Sequence, residues 1–288
     1  MKEKRIRFII NPISGDTQKR KIVDQIHAEL KGILDYDISF TEGPGHATEL
    51  AKKAIQEQHD AVIAVGGDGT VNEVGKALIN SNVALGIIPS GSGNGFARHL
   101  KIPLVVKESL ACIASFKTRM IDTGIVNGHP FLATTGTGFD SHVAHKFATF
   151  GKRGFLAYMQ VSTAEYVSYQ SKKYIINVDG RKIETDAFVV VVANTGQYGN
   201  NVWIAPSASV SDGLLNIGIF QKFPTPILPD IILRLFNKTL EKSRFYKKLT
   251  GKEIIIEHAD HYHIDGEPMN SDSKLSIQIM PSSLKVIC

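Results

Sequence analysis

Two glycine-rich segments hold the residues best suited to chemistry in this sequence. The first, Gly66-Gly67-Asp68-Gly69-Thr70, follows the apolar run AVIAV (61–65) and precedes Val71, Val74 and Leu78 at helical spacing. Glycines at a strand-to-helix turn let backbone N–H groups approach a phosphate, which also meets the positive end of the helix dipole. Asp68 in such a turn can hold a magnesium ion on the phosphates or accept a proton from a nucleophile. A plainer reading is a tight turn with a capping box, Thr70-Val71-Asn72-Glu73. The box is expected, but it accounts for neither the glycines nor the aspartate among them. The second segment, Pro89-Ser90-Gly91-Ser92-Gly93-Asn94-Gly95, follows another apolar run, ALGII (84–88). Alone it reads as a flexible connection. Paired with the first, it converges on the crevice at the strand carboxyl ends, where open α/β sheets bind ligands.

What the loops lack narrows the chemistry. Neither contains G-x-G-x-x-G, so the dinucleotide fingerprint of a Rossmann unit is absent. No G-x-x-x-x-G-K-[ST] occurs, which excludes a P-loop NTPase, and no G-x-S-x-G elbow appears.

The elements that must position these loops alternate along the first part of the chain. Ile6, Phe8 and Ile10 alternate and break at Asn11-Pro12, and Ile22, Ile26 and Leu30 recur at helical spacing. Residues 37–41 are strand-like, and Leu50, Ala51, Ala54 and Ile55 mark a second helix. Repeated βα units predict a layered α/β domain with a largely parallel sheet. From about residue 122 the pattern changes. One helical stretch, 153–170, precedes a hairpin signal at Asp179-Gly180 and strands near 187–194, 214–220, 253–258 and 275–280. This second part is predicted to be mostly antiparallel β.

Three motifs, NPISG (11–15), GGDGTVNE (66–73) and PSGSGNGFA (89–97), together resemble the diacylglycerol kinase catalytic-domain family, which includes bacterial soluble lipid kinases and sphingosine kinases. Asp122 in RMIDTG, Asp140 in GTGFDS, Asp212 in SVSDGLL and Glu267 in IDGEP follow in the family's order, so the resemblance spans essentially the whole chain. It implies an N-terminal NAD-kinase-like α/β domain with a largely parallel sheet, over 1–121. A strand near 283–288 would return to this domain. It also implies a β-rich lipid-substrate domain over 122–282. The implied activity is an ATP- and magnesium-dependent kinase acting on a lipid hydroxyl, such as that of diacylglycerol or a sphingoid base. ATP would contact Asn11, Pro12, Ile13, Ser14, Gly15, Thr41, Gly66, Gly67, Asp68, Gly69, Thr70, Val71, Asn72, Glu73 and Ser92. Glu267 matches the proposed catalytic base, with Asp68 serving the nucleotide–magnesium end or standing as the alternative base. A second, structural magnesium would sit near Ser209, Asp212 and the Leu214 carbonyl, linked through water to Asp122. Many bacterial members read GTGND where this chain has Gly91-Ser92-Gly93-Asn94-Gly95, which keeps a hydroxyl and lacks the aspartate; GSGN is the form seen in sphingosine kinases.

Two rivals stand beside this reading. NAD kinases share GGDGT, but PSGSGNGFA and SVSDGLL argue against one. A non-catalytic lipid- or nucleotide-binding regulator is opposed by the presence of Asp68, Asp122, Asp212 and Glu267 together.

Composition agrees with a globular protein of modest charge. The 288 residues suggest two domains at roughly 150 each. Hydrophobic residues make up 43% and the formal charge is +5, which suits an anionic small ligand or membrane surface better than nucleic acid. Two distant cysteines, Cys112 and Cys288, exclude a disulfide framework or a structural zinc site. No run of about 18 apolar residues occurs and the N-terminus does not read as a signal peptide, so a cytoplasmic protein is expected, peripheral at the inner membrane face. Residues 234–252 carry seven Lys and Arg against Glu241, interleaved with Leu235, Phe236, Leu240, Phe245, Tyr246 and Leu249. That stretch reads equally as a membrane footprint and as a solvated helical surface. Lys146, Lys152 and Arg153 among Phe147, Phe150 and Phe155 make a similar case. His258, His261 and His263 read most simply as part of a turn between antiparallel strands. The pattern admits a homo-oligomer.

Overall fold

The computed structural model describes residues 4–12, 16–151 and 154–288. They divide into two compact units, Met1–Ile121 with Ser282–Cys288, and Asp122–Pro281. The first unit alternates β1 (Arg5–Ile10), α1 (Asp16–Leu30), β2 (Asp35–Phe40), α2 (His46–Gln56), β3 (Ala61–Gly66), α3 (Asp68–Leu78) and β4 (Ala84–Pro89), followed by the short α4 (Gly95–His99) and α5 (Val106–Ser115). The strands run parallel in the order β2-β1-β3-β4, with Phe8 opposite both Ile38 and Ile63. Val286, near the C-terminus, pairs in parallel with Leu85. Ile22, Ile26 and Leu30 of α1 and Leu110 and Ile113 of α5 share one buried cluster with Ile6, Phe8, Ile10, Ile63, Val65 and Ile88. Helices α2 and α3 pack against each other and against β1, β3 and β4. Because β3 and β4 are covered on both faces, every residue in them is buried, and both read as continuous apolar runs.

The second unit continues with β5 (Thr118–Val126), which begins in the first unit, then β6 (His129–Phe131), β7 (Thr134–Gly138), α6 (Phe139–Thr149), α7 (Phe155–Tyr166), β8 (Lys172–Val178), β9 (Arg181–Ala187), β10 (Val189–Ala193), β11 (Gln197–Gly199) and β12 (Val202–Trp203). It ends with β13 (Leu215–Phe220), α8 (Leu228–Phe236), β14 (Tyr246–Gly251), β15 (Glu253–Glu257), β16 (His261–Ile264), β17 (Glu267–Asn270) and β18 (Lys274–Ile287), the last of which runs on into the first unit. One antiparallel sheet has the order β14-β13-β10-β7-β16-β17, and β9, β8, β15 and β18 pair antiparallel in another. Tyr174, Ile176, Ile254, Ile256 and Ile277 share a core with Val190, Val192, Ile217, Tyr262 and Ile264 of the first of these sheets. The opposite face of β10, Val189 and Val191, joins Tyr166, Phe223, Ile231 and Tyr246 in a second cluster. Both faces of β10 are buried, so its sequence is an unbroken valine run. The β8–β9 connection is the expected two-residue turn, with Asp179 and Gly180 both at positive φ (50° and 84°). The expected α/β domain and antiparallel β part are both present. Among the described residues no helix is long and apolar enough to cross a membrane.

Three expectations change. The second unit holds α6 and α8 besides the expected helix, and that helix, α7, is shorter than 153–170. Helix α8 hides behind prolines: Pro224 and Pro226 precede it and Pro229 sits in its first turn, where a missing N–H costs nothing. The basic stretch 234–252 is not one amphipathic surface. It closes α8, passes through a 3-10 turn at Leu240–Lys242 and becomes β14. Leu240 and Tyr246 are core residues, with Leu235 and Phe245 packed against the same cluster, so these four apolar residues face inward. Lys152 and Arg153 lie outside the described residues.

Candidate active site

In the first unit the candidate residues gather where four parallel strands end. Asn11 follows β1, Thr41 follows β2, Gly66 ends β3 and Pro89 ends β4. Asn11 Nδ2 donates to Thr70 Oγ1 at 3.3 Å, and the Thr41 N–H donates to the Ile10 carbonyl at 2.9 Å. Ile13, Ser14 and Gly15 lie outside the described residues.

The two glycine loops meet backbone to backbone. A Cβ on Gly91 would lie 2.4 Å from the Gly67 Cα, and one on Gly67 would lie 3.2 Å from the Gly91 Cα. A side chain at either position pushes the loops apart. The Ser90 N–H donates to the Gly66 carbonyl at 2.8 Å, continuing the β3–β4 pairing into the loops. Asn94, in a left-handed conformation, closes the second loop: its Nδ2 donates to the Gly91 carbonyl at 2.8 Å and its Oδ1 accepts from Gly91 N–H at 3.1 Å. Arg98 Nε donates to the Gly93 carbonyl at 3.1 Å. Asn94 and Arg98 were not among the expected site residues. The Asn in a glycine-rich loop was their one visible signal, since Asn tolerates positive φ. The Ser90 hydroxyl is buried without a partner among the described residues, an orphan donor beside the cradle.

Asp68 ties the loops together. Its Oδ1 accepts from Gly95 N–H at 2.8 Å, across from the helix it begins. Burial raises its carboxyl above the ordinary value of 3.8, more than the N–H groups of Gly95, Asn94 and Phe96 lower it. The expected capping box is not formed. Helix α3 begins at Asp68, so Thr70 is already inside the first turn, and Glu73 turns away to accept from Ala47 N–H at 3.1 Å at the start of α2. Thr70 Oγ1 instead takes the Asn11 bond. Gly66 makes that possible, since a Cβ there would lie 2.4 Å from Thr70 Oγ1.

In the second unit Asp122 is buried, and its Oδ2 accepts from Gly213 N–H at 2.8 Å. The bond holds the loop that bears Ser209, Asp212 and Leu214. Asp212 Oδ1 accepts from Leu214 N–H at 3.1 Å, and Ser209 Oγ from Ser211 N–H at 3.4 Å. The loop thus offers a hydroxyl, a carboxylate and a carbonyl, an all-oxygen set of the kind a hard divalent cation takes. Glu267 opens β17 on the exposed side of a two-residue hairpin turn, Asp265-Gly266 (φ 53° and 89°). Asp265 accepts from the N–H groups of Leu132, Ala133 and Thr134 at 3.1, 2.7 and 3.0 Å. His258 is exposed, His261 pairs with Asn270 Oδ1 at 2.9 Å, and His263 is buried against Asp140 Oδ2 at 3.1 Å. The sequence motif that contains Asp140 carries no signal of this partner, because the two residues lie 123 positions apart along the chain.

Residues 5–126 match the diacylglycerol kinase catalytic domain, and residues 133–288 match the YegS C-terminal NAD kinase beta sandwich-like domain. A diacylglycerol kinase of Bacillus subtilis (strain 168) is 32% identical over 226 residues, covering 76% of this chain and 74% of that protein. A probable lipid kinase YegS-like protein of Pectobacterium atrosepticum is 29% identical over 278 residues, covering 94% of this chain and 91% of its own length. A crystal structure of a diacylglycerol kinase from Bacillus anthracis str. Sterne superposes with a TM-score of 0.79 over 100% of this chain and 97% of that one. At 22% identity it shows a shared fold.

The raised carboxyl at Asp68 gives a signed expectation. Since its folded pKa exceeds the unfolded one, ionising it costs folding free energy; the cost is absent below the unfolded pKa and complete above the folded pKa. Asp68→Asn keeps an acceptor for Gly95 and removes the charge, so it is expected to melt above wild type at pH 7, with the gap closing as pH falls toward 3.8. Asp68→Ala loses the acceptor and is expected to melt below wild type. A melting point for Asp68→Asn below wild type at pH 7 contradicts this electrostatic account.

Proposed function

The chain belongs to the diacylglycerol kinase catalytic-domain family of lipid kinases, and from that premise we propose that it transfers the γ-phosphoryl group of ATP, with magnesium, to a lipid hydroxyl. The observation that carries the nucleotide half is the contact of the two glycine loops, with the orphan Ser90 hydroxyl beside it. Backbone N–H groups there, and the N-terminus of α3, suit a phosphate and supply fixed dipoles to developing negative charge. Asn11, Thr41, Gly66–Glu73 and Ser92 form the nucleotide side of this proposal.

The division of carboxylates follows from their surroundings. Asp68 is engaged by backbone N–H groups, which fits a residue that organises the phosphate loops. Glu267 stands at an exposed strand start, which fits a proton acceptor for the lipid hydroxyl. Magnesium would supply charge neutralisation on the phosphates. Ser209, Asp212 and the Leu214 carbonyl would hold a second, structural ion, with Asp122 fastening their loop. The acceptor is diacylglycerol or a sphingoid base. For contact with an anionic leaflet the exposed Lys242, Arg244, Lys247 and Lys248 contribute charge without apolar insertion.

A tracer assay offering labelled ATP and magnesium with short-chain diacylglycerol, a sphingoid base or NAD tests the reading. Label is expected in one of the two lipids. Label in NAD alone, or in none, overturns it. Glu267→Gln is expected to lower turnover by about 10²- to 10⁴-fold with the KM for ATP unchanged. A changed ATP KM with unchanged turnover contradicts its role.

The loop ion has its own check. In wild type, magnesium is expected to raise the melting temperature, as any ligand of the folded state does. Asp212→Ala is expected to abolish that shift, and an unaltered shift removes the second ion from this account.

A further inference from the structure

We propose that His263 is a positioning residue for Glu267, an inference that rests on the reading of Glu267 as proton acceptor. The β16–β17 turn has only two residues, so the direction in which Glu267 leaves it is set by Asp265 and Gly266. Asp265 pins one side of this turn to the backbone of 132–134. His263 pins the other: its Nδ1 faces the Gly266 N–H at 3.3 Å. A backbone N–H can only donate, so Nδ1 is the acceptor and the ring proton sits on Nε2. Nε2–H in turn points at Asp140 Oδ2, 3.1 Å away.

Asp140 is itself fixed. Its Oδ2 accepts from the Tyr198 hydroxyl at 3.0 Å and its Oδ1 from Ser141 N–H at 2.7 Å. His263 and Asp140 are 4% and 7% exposed, so neither ring nor carboxylate is free to swing into water. The opposing strand leaves room for the pair: Gly136 is the cross-strand partner of His263, and a Cβ there would lie 2.9 Å from Asp140 Oδ2 and 3.3 Å from His263 Nε2. A two-residue hairpin turn needs no such support, and burying this polar chain costs desolvation that an apolar residue at 263 would not incur. What the chain Tyr198–Asp140–His263–Gly266 adds is a fixed orientation for the next residue, Glu267.

The test uses variants that separate the two ring nitrogens. Gln at 263 can still donate to Asp140 but gives up the Gly266 acceptor; Asn can keep an acceptor near the Nδ1 position. Turnover and the KM for ATP are measured for wild type, His263→Gln, His263→Asn, Glu267→Gln and the His263→Gln/Glu267→Gln double variant, with melting temperatures. The accepting lipid is whichever of short-chain diacylglycerol or a sphingoid base takes label. A misplaced catalytic group of about 1 Å costs up to about 10²-fold. His263→Gln is therefore expected to lower kcat by about 10- to 10²-fold with the ATP KM unchanged. His263→Asn is expected to recover most of that loss, and the double variant to be no slower than Glu267→Gln alone. Tyr198→Phe, which loosens Asp140 more gently, is expected to lower kcat in the same direction by less, and it serves if His263→Gln does not fold. If Glu267→Gln is slow while His263→Gln and Tyr198→Phe match wild type, or if the losses multiply in the double variant, the positioning role is overturned and the Glu267 reading stands. A Glu267→Gln enzyme as fast as wild type overturns both.

Discussion

The contact between Gly67 and Gly91 is the constraint on which the two glycine loops of the first unit depend. Two strand-to-helix turns are brought together until their Cα atoms leave no space for a side chain. Only then can the carboxylate of Asp68, at the start of one helix, reach the N–H of Gly95, at the start of the next. The sheet makes this possible. Parallel pairing of β3 with β4 continues from Gly66 and Pro89 into the loops, so the register of the buried strands fixes the separation of the turns.

The same device recurs with other aspartates. Asp122 accepts from Gly213, Asp179 from Lys252 and Glu253, and Asp265 from Leu132 and Ala133 of the β6–β7 connection and Thr134 at the start of β7. Each carboxylate fastens one loop to the backbone of a distant one, and a hydrogen bond to a charged group contributes about 1.5–3 kcal/mol. An aspartate in a motif is thus not automatically a reagent. Here Asp68, Asp122 and Asp265 all have structural work that is visible in their hydrogen bonds, whereas Glu267, which opens its strand, is exposed.

Much of this was legible in the sequence, for identifiable reasons. The buried runs of β3 and β4 announce a parallel sheet because burial is complete on both faces. The Asp179-Gly180 turn is readable because few pairs tolerate positive φ twice. The missed features depend on tertiary context. Thr70 and Glu73 have the spacing of a capping box, but the helix starts earlier, at Asp68, and each side chain finds a partner on another element. The basic stretch 234–252 has the composition of an amphipathic surface helix, yet Lys238, at φ 58°, follows the end of α8, and Leu240 and Tyr246 then turn into the core. The Asp140–His263 pair joins residues 123 positions apart, which no local pattern reveals.

The central claim, that both glycine loops cradle the phosphates of ATP, is tested most directly by hydrogen exchange of the backbone amides with and without magnesium and ATP. Bound phosphates should slow exchange at Gly67–Thr70 and at Ser92 and Gly93 together, the second pair being amides outside the Asn94–Gly91 and Asp68–Gly95 hydrogen bonds. Protection of one loop alone, or of neither while ATP binds, would contradict the account.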